Sequence, residues 1–189
     1  MRKLIVILLI LIILPIAYLY WTASQREAEI ASETPPIGKF MDVNGTKVHY
    51  IEKGEGPDLV LVHGLSSNIM EWNTGLFDRL AEKFHVVAFD RPGLGYTEVL
   101  EGATIVDQAG LLADAAVQLG MDKPIVLGHS FGGAVVMAWA VERPENMSGL
   151  LVLSGASHPL KNPDLDSVWM LGNPISGSLF AWYLSLIHI

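Results

Sequence analysis

Residues 125–134 read Ile-Val-Leu-Gly-His-Ser-Phe-Gly-Gly-Ala: a short apolar run, then Gly-x-Ser-x-Gly, then the start of a helix-forming stretch. An apolar run of this length suits a strand buried on both faces. Glycines two positions either side of Ser130 leave room for a strand-to-helix turn so tight that the serine hydroxyl projects clear of the backbone. A strand that feeds directly into a helix in this way is half of a βαβ unit, which points to a parallel sheet. A glycine-rich nucleotide-binding turn would need Gly-x-Gly-x-x-Gly, and here Ser130 stands where the second glycine would be.

The flanking sequence repeats the alternation. Residues 39–43 and 47–52 alternate apolar and polar around Asn44-Gly45, a strong hairpin signal. Residues 58–63 carry Leu-Val-Leu-Val, a second buried-strand pattern, and Leu76, Phe77, Leu80 and Ala81 follow at helical spacing. A strand over 86–89, a helix over 105–119, the 125–127 strand, a helix over 131–141 and a strand over 150–153 complete the core. The expected fold class is α/β: a mostly parallel sheet with an N-terminal hairpin and helices on both faces, spanning 38–155. In such sheets sites form at the carboxyl ends of the strands. Residues 156–189, with three prolines and scattered Trp, Phe, Met and Leu, show no buried strand. They are expected to begin a helical cap, the alternative being an ordinary surface helix pair.

Ahead of the core lies a different kind of segment. Arg2 and Lys3 precede eighteen uncharged, mostly apolar positions, 4–21, ending in Tyr18, Tyr20 and Trp21. That is long enough to span a bilayer, with the basic end cytoplasmic and the aromatic end at an interface. Pro15 would kink such a helix without forbidding it. The expectation is a single-pass anchor over 1–21, a polar tether over 22–37 and an extracytoplasmic domain. A cleaved signal peptide with a secreted product, and a buried core helix, are the alternatives. A net charge of −8 shows no basic footprint for nucleic acid. The absence of cysteine excludes disulfides and cysteine-containing zinc sites. No metal or cofactor is expected.

Three groups of residues carry chemistry. Ser130 is a nucleophile only if a histidine takes its proton and an acid orients that histidine. Attack on a carbonyl creates an oxyanion that needs two preorganised donors. The amide of Phe131, at the head of a helix, is one candidate, and the amide of Leu65, in the His63-Gly64-Leu65 loop after the 58–63 strand, is the other. His63 is then a loop residue, although the tripeptide also reads as a plain strand-to-loop turn. Asp90-Arg91-Pro92-Gly93-Leu94-Gly95 follows the next strand. It reads as a structural turn in which Asp90 pairs with Arg91 or caps the loop.

Together, His63-Gly64, Asp90-Arg91-Pro92-Gly93-x-Gly95 and Gly128-His129-Ser130-Phe131-Gly132-Gly133, in this order at the ends of successive strands, resemble the α/β-hydrolase superfamily. The nearest branch is that of small esterases, lipases and cofactor-free haloperoxidases. The resemblance implies Ser130 as nucleophile, Leu65 and Phe131 as oxyanion amides, and Gly128, His129, Gly132 and Gly133 as the elbow, with the His129 ring turned away from Ser130. Relatives that open epoxides or displace halide carry aspartate at the nucleophile position, so serine argues against both. The implied activity is hydrolysis of a small, apolar, ester-like substrate through an acyl-enzyme. A carbon–carbon bond hydrolase or haloperoxidase on the same scaffold, and a non-catalytic membrane-anchored binding module, are the alternatives.

The family's triad runs serine, acid, histidine. Here Ser154-Gly155-Ala156 offers no carboxylate after the 150–153 strand, and Asp164 and Asp166 are weak substitutes. His158 opens the cap region, and His188 lies in a tail, 184–189, that resembles translated adapter sequence. The resemblance therefore implies a C-terminally truncated hydrolase, nearly inactive as written, whose proton relay lies beyond residue 189.

Overall fold

A computed structural model describes residues 2–33 and 35–155. Helix α1, Arg2–Glu33, takes up the apolar N-terminal segment. It continues through residues 22–33, so the stretch read as a tether is helical as far as Glu33. A span was expected over residues 4–21. Among the described residues, which leave out the side chains of 4–9, no helix is long and apolar enough to cross a membrane. The expected cap, residues 156–189, lies outside the described residues.

The sheet-bearing unit begins at Ile37. Strands β1, Lys39–Val43, and β2, Thr46–Lys53, pair antiparallel with Val43 opposite Thr46. The turn between them is Asn44-Gly45, both at positive φ (54° and 86°), the mirror-image turn whose twist matches that of paired strands. Then follow β3 (Asp58–Val62), α2 (Leu76–Ala81), β4 (His85–Phe89), α3 (Ile105–Gln118), β5 (Ile125–His129), α4 (Phe131–Glu142) and β6 (Gly149–Leu153). The strand order is β1-β2-β4-β3-β5-β6, with β3, β4, β5 and β6 parallel and β2 antiparallel to β4. Each expected element appears, with ends shifted by one or two residues.

The apolar runs are continuous because both faces of the central strands are covered. Val60, Val62, Val87, Phe89 and Val126 point to the face packed with Leu112, Ala113 and Ala116 of α3 and Val135, Val136 and Trp139 of α4. Leu59, Leu61, Val86, Ala88 and Leu127 point the other way, onto Trp72 and Phe77. This period-2 division is the pleat of each strand expressed in side chains. At β6, the last described strand of the sheet, Leu150, Leu151 and Leu153 stay exposed.

Register places the site. Val62 lies opposite Phe89 on β4 and Gly128 on β5. The next residues of the three chains, His63, Asp90 and His129-Ser130, therefore emerge side by side at the carboxyl edge of the sheet. The following helix comes unusually close. A Cβ at Gly128 would overlap the Gly132 carbonyl, and one at Gly132 would overlap the carbonyl oxygens of Val62 and His63. The motif's glycines are thus required by the approach of α4 to the sheet.

Helix α3 begins with a capping box absent from the sequence reading. Thr104 Oγ1 accepts from the Asp107 N–H at 3.2 Å, and an Asp107 carboxylate oxygen accepts from the Thr104 N–H at 2.8 Å. The Thr104 hydroxyl, 2.6 Å from the same carboxylate oxygen, and then the Thr104 N–H hold the Asp107 carboxyl below its ordinary pKa. Thr104→Ala is expected to lower stability by about 1 kcal/mol, read as a shift in the urea midpoint with the slope unchanged; a shift within error would show that the cap contributes nothing.

Candidate functional site

Ser130 closes β5 and opens α4 at φ 51°, ψ −116°, a conformation that residues with a Cβ rarely adopt. Two backbone bonds hold it there. Its N–H donates to the Leu153 carbonyl at 2.9 Å, and its carbonyl accepts from the Gly133 N–H at 3.0 Å. The hydroxyl makes no capping bond to the helix. The strain of the turn is thus balanced by β6 on one side and α4 on the other.

The His63-Gly64-Leu65 loop lies against this turn. A Cβ built on Gly64 would sit 3.3 Å from Ser130 Cβ. His63 is fully buried. Its Nε2 accepts from the Arg91 backbone N–H at 2.9 Å, so the ring proton belongs on Nδ1, which donates to the Gly64 carbonyl at 3.0 Å. Burial foremost, then the neighbouring Arg91 charge, draws the His63 pKa from 6.5 down to about 4. It is a neutral structural ring, as expected of a loop residue.

Arg91 grips the same loop. Its Nε donates to the His63 carbonyl at 3.0 Å, its Nη2 to the Gly64 carbonyl at 2.7 Å and its Nη1 to Gln108 on α3 at 3.0 Å. The guanidinium carbon stands 4.7 Å from the centre of the Phe131 ring. Burial lowers its pKa to about 10, which leaves it charged at neutral pH. The Gly64 carbonyl therefore has two donors. Because the peptide unit is planar and trans, fixing that carbonyl also fixes the Leu65 N–H, which points the opposite way.

Of the two readings of Asp90, the loop cap holds, through the Tyr96 N–H, whereas the side-chain partner is His49 and not Arg91. His49 Nδ1 lies 2.7 Å from one carboxylate oxygen, and both side chains are fully buried. That oxygen also accepts from the Tyr96 N–H at 2.9 Å, and the other accepts from the Ile69 N–H at 2.8 Å. His49 Nε2 faces the Ile37 carbonyl at 3.1 Å, so both ring nitrogens meet acceptors. Gly95 is needed here, since a Cβ would run into the Asp90 carboxylate.

Sequence reasoning missed Glu71. It ends a single 3-10 turn, Ile69–Glu71, capped by Asn68. One of its oxygens accepts from the Gly64 N–H at 3.1 Å, and the other lies 2.8 Å from His129 Nδ1. The isolated Glu-Trp pair carried no motif, and only the turn that follows the His-Gly loop brings it to the site. The four described histidines all have partners: His49 with Asp90, His63 with Arg91 and Gly64, His85 with Asp58, and His129 with Glu71. None of these bonds involves Ser130. Among the described residues no group of His, Asp and Glu could hold a metal ion. A cavity of about 410 Å³ lined by Asn44, Asp107, Asp114, Trp139 and Arg143 includes none of the residues around Ser130.

A mostly parallel sheet of this order, with a strained serine between a strand and a helix, defines a class. The family model described as the alpha/beta hydrolase fold matches residues 57–184, well over half the chain, and the chain belongs to that family. The dihydrolipoyllysine-residue acetyltransferase component of the acetoin cleaving system of Cupriavidus necator is 34% identical over 139 residues, covering 71% of this chain and 37% of that protein. A soluble epoxide hydrolase of Corynebacterium sp. is 35% identical over 114 residues, covering 59% of this chain and 39% of the relative. Among solved structures, a thermophilic esterase from Thermogutta terrifontis superposes with a TM-score of 0.60 at 26% identity, covering 68% of this chain and 48% of the other. The chain thus spans well under half the length of the two curated relatives.

The neutral His63 ring makes stability depend on pH. Its folded pKa lies below the unfolded value, so the unfolded chain takes up the extra proton first. Stability is full above about pH 6.5 and falls as the pH drops toward 4. At about 1.4 kcal/mol per pH unit, the loss is about 3 kcal/mol. Urea midpoints at pH 4.5 and 7 should show it, and His63→Gln should remove most of the difference; an unchanged pH dependence in that variant would refute the assignment.

Proposed function

We propose that this chain carries the nucleophile and oxyanion loop of a serine hydrolase that acts on small, apolar carboxylic esters or a related acyl substrate. The observation that carries the reading is Ser130 itself, held at φ 51° with a hydroxyl not spent on capping the helix it opens. The Ser130 oxygen attacks the acyl carbon. The resulting oxyanion is taken by the amides of Leu65 and Phe131. Gly64 cannot serve in place of Leu65, because its N–H already donates to Glu71. The serine proton passes to a histidine and leaves with the alcohol. Water then hydrolyses the acyl-enzyme.

That histidine is not among the described residues, and the greater length of the relatives supports a relay from sequence beyond this chain. Serine at position 130 separates the reading from epoxide opening, which the resemblance ties to aspartate. Similarity to an esterase structure supports ester hydrolysis.

The same proposal places the domain outside a membrane, tethered by α1 with its N-terminus cytoplasmic. At about 1.5 Å per residue, the eighteen uncharged residues 4–21 of this helix would extend about 27 Å, close to the roughly 30 Å hydrocarbon layer. Leu11, Ile12, Ile13, Leu14 and Ile16 are exposed along it, and Tyr18, Tyr20 and Trp21 gather near the far end of the apolar segment.

Two measurements test these readings. In the complete gene product, a fluorophosphonate probe should label Ser130, and Ser130→Ala should abolish both labelling and hydrolysis of p-nitrophenyl butyrate. The 189-residue chain should turn over slower by several orders of magnitude, as for loss of a triad base. A fully folded gene product with an unlabelled Ser130 would favour a binding module, and brisk Ser130-dependent turnover by the 189-residue chain would place the base within it. For the anchor, the chain should stay with the membrane pellet after carbonate washing, and removal of residues 1–37 should release it; a chain soluble with residues 1–37 intact would refute the tether.

A further inference from the structure

One carboxylate lies between the two halves of the site without belonging to any motif. Glu71 uses both oxygens, one on the Gly64 N–H at 3.1 Å and one on His129 Nδ1 at 2.8 Å. Gly64 belongs to the loop after β3, and His129 is the last residue of β5, directly before Ser130. The groups converge closely. The point where a Gly64 Cβ would stand is 3.3 Å from Ser130 Cβ, 3.4 Å from a Glu71 carboxylate oxygen and 3.4 Å from His129 Nδ1.

From this we infer that Glu71 is a positioning residue for acyl transfer, a single carboxylate that ties the oxyanion loop to the nucleophile turn; the inference rests on the serine-hydrolase reading above. Gly64 is held from both sides. Its N–H donates to Glu71, and its carbonyl accepts from Arg91 at 2.7 Å and from His63 at 3.0 Å. With both peptide units anchored, the loop cannot pivot, and the Leu65 N–H keeps one direction relative to Ser130. Preorganised donors stabilise an oxyanion because they need no reorientation as the charge develops. The charge of Glu71 would itself oppose an oxyanion, and the Arg91 guanidinium on the other side of Gly64 offsets it.

A merely structural glutamate and a positioning one differ in what its removal changes. In the complete gene product, Glu71→Ala should lower kcat for p-nitrophenyl butyrate about tenfold, part of the 10²–10³ cost of losing a whole oxyanion donor, with KM within twofold. Glu71→Gln, which still offers an oxygen to the Gly64 N–H, should recover most of the loss. Amide hydrogen exchange should show Gly64 protected in the wild type and exposed in Glu71→Ala while the core strands keep their protection. Unchanged kcat, or unchanged exchange at Gly64, in Glu71→Ala would overturn the positioning role while leaving the nucleophile reading intact. A wild-type Ser130 that takes no fluorophosphonate label would instead overturn the underlying reading, and the positioning role with it.

Discussion

Everything at the carboxyl edge of this sheet depends on a carboxylate that never meets solvent. Asp90 is buried at the end of β4, where an unpaired charge would cost several kcal/mol. It is retained because four neighbours converge on its backbone and side chain. His49 from β2 and the amides of Ile69 and Tyr96 satisfy the carboxylate, and the Thr97 hydroxyl donates to the Asp90 carbonyl at 2.8 Å. Each bond fixes a different segment. Holding the Ile69 amide sets the turn that carries Glu71. Holding the Tyr96 amide folds residues 91–96 back, so that Arg91 points into the His63-Gly64 loop. The two side chains that grip Gly64 from opposite sides are therefore both placed by one buried acid.

The geometry around Ser130 is a second layer on that base. The parallel register of β4, β3 and β5 delivers three strand ends to one edge. Close packing of α4, possible only with glycine at 128 and 132, turns the chain sharply enough to hold Ser130 at positive φ. The strain is local and the support is distributed. The Ser130 N–H is bonded to β6, while Phe131, the next residue, lies under the Arg91 guanidinium. The Gly64 peptide planes beside this turn have no side chain of their own, so their direction is set by the neighbours that bond them: His63, Arg91 and Glu71.

Much of this was legible in the residues. Apolar runs at 59–62, 86–89 and 125–127 marked the buried strands because both faces of a parallel sheet are covered. Asn44-Gly45 marked the hairpin because its turn needs positive φ. Gly128-x-Ser130-x-Gly132 marked the turn because nothing larger fits. For Asp90 the sequence offered a loop cap or a pair with Arg91; the cap is there, in the Tyr96 N–H, but the side-chain partner is His49 on β2, 41 positions earlier. Glu71 and the Thr104–Asp107 capping box were missed, the first because its partners are 7 and 58 positions away and the second because Asp replaces the usual Glu or Gln.

By itself, then, the sequence determined the family, the order of strands and helices along the chain, and the position of the strained turn at Ser130. These follow from period, turn chemistry and steric room, which are local properties of neighbouring residues. Only the tertiary structure decided which polar groups meet: that His63 is a neutral ring facing Arg91, that Asp90 takes His49, and that Glu71 bridges Gly64 and His129. Burial explains the division. Once removed from water, each donor and acceptor must find a partner among whatever the packed strands bring within 3 Å or so, and that choice is made by register across the sheet, with no trace in the spacing along the chain.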